Sequence, residues 1–582
     1  MRTMIKILRL PILLGLSLTI SACSATTGNS AQSIFGAEPE EERSAYGAFL
    51  AARVAGSSRD TRNASDYYAR AMERAPQSGF LSERAFIASL MAGDTGRAIA
   101  TARDAANAAD ETRLARLYLA TDAIADRRYS QAREWLDAEG FGPFNSFLAE
   151  VLDDWARAGM GDVDGAIARA EAATPPGFAT AFHTLHRALL LEQAGRDEEA
   201  GTIYSLALSQ TPFRRMAVEL LGANLERRGE RAEAAGLYRG YLMSEANEPT
   251  IRAALERVEA RRRAPREPNL RQRAGLAMYG PAALFATQAE MDLSVIYLRF
   301  AQRLDPEYAT TRLLLASTLE RLEMYEAAIA EYSAVPEGPF HQSAQIDRIY
   351  LLARTGEEDA AFAEARQLAT ESDSIDARTL LADLHRWRGD LDEAQAGYGA
   401  VIAERLALGQ VPTWQLYYFQ AGALETLDRW DEAEPLFLQA LEIAPDEPQI
   451  LNYLGYAWVV RGENIERAFT MIGRAAAAEP TSGYIIDSLG WAHYVRGNYD
   501  EAVQHLERAA ALSPDSPTIN YHLGDAYWQV GRYLEARFQW ERALELEPEP
   551  EEIEGLQARL ESGRVPAEGE TAVVESQVSQ EP

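Results

Sequence analysis

The sequence predicts an all-α protein, a solenoid of about fourteen helical hairpins arranged in two arrays. Three observations predict this architecture. A small residue follows a charged pair at intervals close to 34 residues, a glycine precedes it by five positions in most intervals, and a proline often follows it by twelve. A period of this length, with apolar residues at helical spacing inside each interval, is typical of stacked helix-turn-helix units.

The chain begins with the three-part pattern of a secretory signal. Basic residues precede an apolar run at 10–20, which is too short to span a bilayer comfortably, and small residues follow. The next letters, ISAC at 20–23, resemble the bacterial lipobox, in which the signal peptide is cut before a cysteine that receives diacylglycerol. We therefore expect residues 1–22 to be a lipoprotein signal peptide and Cys23, the only cysteine, to be lipidated.

Two alternatives remain for this segment: conventional cleavage that leaves a free thiol, or an uncleaved inner-membrane anchor. Lipidation better explains the position of the single cysteine, and several acyl chains hold a protein firmly on a membrane. Ser24 follows, whereas an aspartate there commonly retains lipoproteins at the inner membrane of enteric-type bacteria. The resemblance implies anchoring in the outer membrane of a Gram-negative bacterium, facing the periplasm, with residues 23–44 as lipidated cysteine and flexible tether.

The charge balance excludes whole classes of partner. The formal net charge is −31, and loss of residues 1–22 removes three basic and no acidic residues, which leaves −34. Nucleic-acid binding needs a basic footprint, so we exclude it. Charge alone also cannot hold so acidic a protein on an anionic membrane, so the acyl chains must provide the attachment. A single cysteine permits neither a disulfide within the chain nor a thiolate metal cluster.

The repeat is defined by an anchor, the small residue after the charged pair. The anchors are Ala64, Ala98, Ala132, Ala166, Ala200, Ala234, Ser294, Ala328, Ala361, Ala394, Ala433, Ala468, Ala502 and Ala536. The glycines five positions earlier are Gly93, Gly161, Gly195, Gly229, Gly356, Gly389, Gly497 and Gly531. The prolines twelve positions later are Pro76, Pro212, Pro306, Pro445, Pro480, Pro514 and Pro548. An aromatic residue often follows four positions after the anchor, as Tyr204 and Trp540 do.

This pattern resembles the tetratricopeptide repeat family, whose unit is 34 residues. The resemblance implies a right-handed superhelix of paired helices in which glycine closes the first helix and proline ends the second. We expect an N-terminal array of about six units at 45–252, a joint at 253–274, and a C-terminal array of about eight units at 275–550. Residues 551–582 are expected to form a capping helix followed by a disordered acidic tail.

The joint is locally basic. The stretch RVEARRRAPREPNLRQR, residues 257–273, holds seven arginines against two glutamates, and its two prolines break any helix there. Arginine recognises carboxylate and phosphate groups bidentately. Four arginines therefore form a candidate dock for an acidic partner or a lipid headgroup: Arg261, Arg262, Arg263 and Arg266. The alternative is that they pair with carboxylates of this chain.

No catalytic motif accompanies the repeats. The sequence contains no P-loop, no GxSxG, and no Ser-Lys or Cys-His signature. His183 and His186 are three positions apart on a predicted helix, but no further ligand pattern accompanies them. His385, His493 and His522 fall in different units, too far apart in sequence to suggest a shared base. We expect no enzyme activity, cofactor, metal or small-molecule substrate.

The resemblance to tetratricopeptide repeats places candidate contact residues on first helices. In that family the first helices line a groove, and a few positions in each unit contact the partner. These positions carry Trp387, Tyr418, Tyr456, Tyr484, Trp491, Tyr494, Tyr521 and Trp528. Aromatic rings are enriched in interface hot spots, although repeat helices also bury them between units. The basic-and-asparagine clamp by which some members hold a C-terminal carboxylate is not reproduced.

These observations predict a non-catalytic, membrane-anchored scaffold for periplasmic proteins. The layout of lipobox, tether and long repeat array resembles the outer-membrane adaptors of periplasmic carboxyl-terminal processing proteases. That resemblance implies a protease partner and delivery of peptidoglycan hydrolases to it. Two other classes remain open, namely activation of a peptidoglycan synthase and scaffolding of an exopolysaccharide export or outer-membrane assembly complex.

Overall fold

The structure is a computed structural model that describes residues 44–76, 78–108, 113–137, 141–174, 177–209, 213–286, 291–372, 374–563 and 565. The expected signal peptide, the expected lipidation site Cys23, the tether before Ser44 and the acidic tail after residue 565 lie outside the described residues.

The described chain is helical and contains no β-strand. The helices of the first part are α1 (Ala45–Ser57), α2 (Thr61–Arg74), α3 (Gly79–Met91), α4 (Thr95–Ala108), α5 (Arg113–Ala125), α6 (Tyr129–Leu136), α7 (Pro143–Gly159), α8 (Val163–Ala172), α9 (Thr180–Gln193), α10 (Asp197–Ala207), α11 (Arg214–Arg228), α12 (Arg231–Leu242), α13 (Pro249–Glu259), α14 (Leu270–Ala286), α15 (Met291–Leu304), α16 (Ala309–Arg321), α17 (Tyr325–Ser333) and α18 (His341–Arg354). Those of the second part are α19 (Glu358–Glu371), α20 (Ile375–Arg388), α21 (Leu391–Ala407), α22 (Trp414–Thr426), α23 (Trp430–Ile443), α24 (Pro448–Arg461), α25 (Ile465–Ala478), α26 (Gly483–Val495), α27 (Tyr499–Leu512), α28 (Pro517–Gln529), α29 (Tyr533–Glu545) and α30 (Pro550–Ser562).

These helices pair in chain order, which confirms the predicted all-α hairpin solenoid. Helices α1–α12 form six hairpins and α14–α17 form two more in the first unit, α20–α29 form five in the second unit, and α30 follows the last. In each of these hairpins the anchor lies in the second helix, and every anchor is at most 2% exposed. A small side chain there lets the two helices approach closely, and the packed stack of hairpins stabilises helices that are too short to be stable alone.

The bulky residue four positions after the anchor fills the space between paired helices. Trp540 on α29 is 1% exposed, and its indole lies against Gly524 of α28. A methyl group at Gly524 would come within 2.5 Å of this ring. The first helix therefore carries a small residue where the second helix carries a large one, and the two surfaces interlock as close packing requires.

Glycine closes the first helices as predicted. All eight aligned glycines have positive φ, between 74° and 96°. Four units without that glycine adopt the same left-handed conformation with another residue at the same position, namely Arg59, Arg127, Glu323 and Asp428, at φ between 58° and 61°. The turn between paired helices therefore fixes this backbone conformation whatever residue occupies it.

The described chain separates into two compact units, residues 44–361 and residues 362–565. The Arg-rich segment at 253–274 lies inside the first unit and therefore does not separate compact units. It comprises most of α13, a non-helical loop containing both prolines, and the start of α14. The physical reason is that α14 and α15 pack back onto helices of the N-terminal array, which joins the two sides of the segment.

The left-handed turn gives a stability prediction. We expect Gly497→Ala to destabilise the second unit by about 1–2 kcal/mol, because an alanine Cβ is strained at positive φ. No other group lies within 4 Å of the added methyl, so backbone strain is the only expected cause. Glu323→Ala is the matched control at the equivalent position and should change the stability by less than about 0.5 kcal/mol. Chemical denaturation of both variants measures these differences, and equal effects would contradict the prediction.

Candidate functional site

The first unit places a helical hairpin of its own on its first helices. We call α14 and α15, residues 270–304, the internal hairpin. Helix α15 packs against α3 and α5, and α14 packs against α7 and α9, which are all first helices of their hairpins. This is the surface that the tetratricopeptide resemblance assigns to partner binding. On these four helices of the first unit, that surface is therefore covered by the same chain.

Apolar rings form the centre of this intramolecular contact. Phe300 of α15 lies 5.1 Å from the ring of Tyr118 on α5, and Phe285 of α14 lies 4.7 Å from the ring of Phe144 on α7. Phe300 and Tyr118 are at most 1% exposed. Burying such rings contributes roughly 2–3 kcal/mol each, so the hairpin is part of the core.

Polar pairs fix the orientation of the internal hairpin. Arg303 donates to Asp122 at 3.0 Å and to Asp126 at 2.6 Å. The Tyr297 hydroxyl donates to the side chain of Asn145 at 2.7 Å. These contacts join residues more than 150 positions apart in sequence. One local pattern marks the hairpin, since residues 274–286, AGLAMYGPAALFA, contain no charged residue. A helix that is apolar on all sides is expected to be buried on all sides.

The second unit presents an aromatic surface on its last first helices. Trp491 of α26 stacks on Tyr494 with ring centroids 4.5 Å apart and on His522 of α28 at 4.1 Å. Tyr521 of α28 lies 6.0 Å from the His522 ring. Burial, and then the nearby Asp487 carboxylate, raises the pKa of half-buried Tyr456 on α24. We call Tyr456, Trp491, Tyr494 and Tyr521 the aromatic surface.

A set of buried charges lies beneath these rings. The Nδ1 atom of His522 lies 2.9 Å from a carboxylate oxygen of Asp487. Arg559 of α30 donates to both oxygens of Asp525, at 2.7 and 2.9 Å, and also stacks over the ring of Tyr521 at 4.7 Å. Paired and hydrogen-bonded charges of this kind hold side chains in single orientations. The aromatic surface is thus a preorganised face.

Burial and neighbouring charges shift the pKa values of His522, Asp525 and Tyr494. Burial lowers the pKa of His522, but the Asp487 carboxylate outweighs it and the net pKa is raised above the usual value. Burial raises the pKa of Asp525, and the Arg559 guanidinium opposes the rise without cancelling it. Burial also raises the pKa of Tyr494 to about 12, so its hydroxyl stays protonated at neutral pH, and it accepts a hydrogen bond from the Gln529 side-chain amide at 3.2 Å.

The other four aromatic candidates do not join this surface. Tyr418 is 3% exposed and packs against the rings of Phe437 and Tyr453, so it is a packing residue. Trp528 lies against Tyr533 at 4.5 Å and Trp540 at 6.0 Å, in the contact between α28 and α29. Tyr484 and Trp387 are exposed, on α26 and α20 respectively. The structure therefore brings together Tyr456, Trp491, Tyr494 and Tyr521 alone among the eight candidates.

The four arginines of the candidate basic dock are all exposed. Arg261, Arg262, Arg263 and Arg266 form no ion pair with any carboxylate that the structure describes. Arg257 nearby is different, because it donates to Glu226 at 2.6 and 3.0 Å. Within the described residues, the four arginines are thus available to an external anion.

The histidine pair at 183 and 186 has a packing role. His186 is 2% exposed and its Nε2 lies 3.0 Å from Asp154. Burial lowers the pKa of His183 to about 4, which keeps it neutral at physiological pH. Among the described residues, no group of three or more histidine, aspartate or glutamate side chains is arranged to hold a metal ion.

Helix length is also informative about membranes. Across the residues that the structure describes, none of the helices combines the length and hydrophobicity needed to cross a bilayer.

Family models match three segments of the chain. Residues 490–531 match a model described as TPR repeat, and residues 517–550 and 379–448 match two described as tetratricopeptide repeat. The matched residues 490–550 cover the end of α26 and all of α27–α29, and they include Trp491, Tyr494 and Tyr521 of the aromatic surface. A comparison with curated protein sequences found no significant match.

Solved structures with similar helical arrays include three of different origin. The Cut9–Hcn1 hetero-tetramer of APC/C has 15% identity and a TM-score of 0.40, over 88% of this chain and 95% of that one. Yeast Tom70 has 13% identity and a TM-score of 0.33, over 92% of this chain and 99% of that one. A tetratricopeptide repeat protein from Parabacteroides merdae has 14% identity and a TM-score of 0.35, over 44% and 98%.

The described chain is an all-α array of helical hairpins, and residues 379–448 and 490–550 match tetratricopeptide repeat models. Repeats of this kind serve as protein-interaction scaffolds and are generally non-catalytic. The class of protein is therefore a repeat scaffold that binds proteins.

The buried histidine gives a pH-dependent prediction. Because the folded pKa of His522 lies above its unfolded value of about 6.5, the pair with Asp487 stabilises the protein below that pH. This stabilisation is lost as the pH rises through the folded pKa. We expect Asp487→Asn to cost roughly 1.5–3 kcal/mol at pH 6 and clearly less at pH 9. Thermal denaturation of both proteins at the two pH values measures it, and an equal loss at both would refute the assignment.

Proposed function

We propose that this chain is a non-catalytic adaptor that holds a segment of a partner protein on the aromatic surface of its second unit. One observation supports this most directly: the internal hairpin packs on the four first helices α3, α5, α7 and α9 of the first unit, whereas α24, α26 and α28 pack against their neighbours in chain order. The aromatic surface therefore remains for a partner. Its rings are large, stiff and supported by buried charges, which lowers the entropy cost of binding.

The adaptor is tethered to a membrane in this proposal. The lipobox at residues 20–23 supports lipidation of Cys23, and Ser24 supports sorting to the outer membrane with the scaffold in the periplasm. The acidic composition supports protein partners over nucleic acid. The four exposed arginines at 261–266 offer a second contact for an acidic segment of the same complex.

The proposed pathway is delivery of peptidoglycan hydrolases to a carboxyl-terminal processing protease. Its support is the layout of lipobox, tether and long repeat array, which resembles the adaptors of those proteases. Two alternatives share the same fold and tether: activation of a peptidoglycan synthase, and scaffolding of an exopolysaccharide export or outer-membrane assembly complex. Identification of the captured partner separates the three.

The aromatic surface can be tested by capture. A chain beginning at Ser24 is the bait in an envelope extract, captured proteins are identified by mass spectrometry, and their affinity is then measured directly. We expect Trp491→Ala with Tyr494→Ala to weaken the partner about tenfold or more, as for interface hot spots. Trp387→Ala is the matched control, an exposed tryptophan outside the aromatic surface, and should bind normally.

The outcome is informative in both directions. Circular dichroism of each variant checks that the helices remain folded. Unchanged affinity in the folded double variant would exclude the aromatic surface as the binding site. A captured protease together with a wall hydrolase would support the proposed pathway, whereas a synthase or an export protein would replace it.

The tether has its own test. We expect Cys23→Ser to abolish incorporation of labelled fatty acid. The variant chain should then either remain uncleaved or leave the membrane fraction for the soluble fraction. Several acyl chains hold a protein firmly, so their loss should be decisive. Ser24→Asp serves as the sorting control, because it keeps the acylated cysteine and changes only the residue that follows. Fatty-acid labelling of the Cys23→Ser variant would contradict the proposal.

A further inference from the structure

The N-terminal end of the first unit carries an exposed apolar face. On α1 the side chains of Tyr46, Leu50 and Val54 recur every four residues, so they lie along one side of the helix. Their exposed fractions are 68%, 42% and 68%, and Phe80 at the start of α3 is 55% exposed. Half-buried Phe49 connects them, with its ring 6.4 Å from Tyr46 and 5.8 Å from Phe80. We call Tyr46, Leu50, Val54 and Phe80 the terminal face.

The terminal face is exposed because nothing precedes it among the described hairpins. Other first helices pack on the second helix of the hairpin before them, as α3 does on α2 and α5 on α4. At the opposite end α30 covers the last hairpin with fully buried Leu556. End repeats ordinarily carry a polar outer face, since an apolar end associates with other apolar surfaces. This end therefore differs from an ordinary solvated cap.

The charge around the terminal face also differs from that of the rest of the protein. Residues 44–90 contain six arginines and four acidic residues, whereas the whole chain has a net charge of −31. Arg53 is exposed on α1 beside Val54, and Arg84 lies over the Phe80 ring at 5.5 Å. Exposed apolar and aromatic side chains flanked by arginine are the composition of a surface that lies on an anionic bilayer.

We propose that the terminal face docks on the lipid bilayer to which the chain is tethered. This inference rests on the proposed lipid anchor, because Cys23 precedes the described fold by about twenty residues. The terminal face is thus the described apolar surface nearest to that anchor in sequence. The terminal face then adds a second, reversible attachment to the covalent one. It fixes which end of the first unit faces the bilayer.

Vesicle binding by the unacylated protein tests this proposal. A chain beginning at Ser24 keeps every described residue and has no cysteine to acylate. It is sedimented with vesicles of phosphatidylethanolamine and phosphatidylglycerol at a 3:1 ratio. We expect Tyr46→Ser, Leu50→Ser and Val54→Ser together to lower the partition coefficient at least tenfold. The matched control replaces Leu406, Leu408 and Val411 by serine, which are exposed to a similar extent in the other unit, and should partition normally.

Two outcomes would overturn the proposal. One is no vesicle binding by the unaltered chain, or equal binding by the two triple variants. The other is a dimer in sedimentation equilibrium that the terminal-face variant loses, which would mean that a second copy covers the face. The thermal midpoint checks that both variants are folded. Failure of the lipid anchor is separate, because fatty-acid labelling at Cys23 is measured on the full chain and does not affect this assay.

Discussion

The close approach of two helices at one small residue is the constraint on which the structure depends. Every anchor is buried, and in most units a bulky residue one turn later, such as Tyr204 or Trp540, fills the space beside it. Helices of eight to seventeen residues are marginal alone in water. They persist here because each apolar face is covered by the paired helix and by the next hairpin. Stability is therefore distributed along the chain as a series of neighbouring contacts.

The internal hairpin is the exception to this nearest-neighbour rule. Its two helices contact the first helices α3, α5, α7 and α9 through apolar rings and through Arg303. The first unit thus gains contacts between distant repeats and a covered inner surface. A unit bound in this way is expected to be stiffer than an open solenoid. In the second unit the described helix pairs belong to one hairpin or to hairpins that are neighbours in chain order, and the residues of the aromatic surface lie on the first helices α24, α26 and α28.

The aromatic surface, which is the binding site in our proposal, illustrates how buried charge can hold side chains in place. Burying Asp487, His522, Asp525 and Arg559 costs solvation energy that their pairing only partly offsets. Apolar residues of similar volume would stabilise the fold at least as well. The charges instead hold the rings in one arrangement, because Arg559 contacts Tyr521 and His522 stacks on Trp491. A rigid surface loses less entropy on binding, which is the physical gain that accompanies the cost.

Much of the fold followed from local sequence. The phase of the repeat predicted the anchors and the eight left-handed glycines, because both depend on contacts within one hairpin of about 34 residues. It did not predict that Arg59, Arg127, Glu323 and Asp428 adopt the same turn, since propensity disfavours it and only hairpin geometry imposes it. It also predicted all eight aromatic candidates with equal weight, although Tyr418 and Trp528 are occupied in packing and four others form one surface.

The sequence by itself determined the helical period, the position of each turn and the small residues at which helices meet. Only the tertiary structure decided which surfaces are covered. The internal hairpin binds residues up to 181 positions away, and no local period encodes a contact of that range. Whether a side chain is exposed depends on which residues lie next to it in space. The covering of the N-terminal first helices, and the assembly of Tyr456, Trp491, Tyr494 and Tyr521, therefore emerge only when the hairpins are stacked.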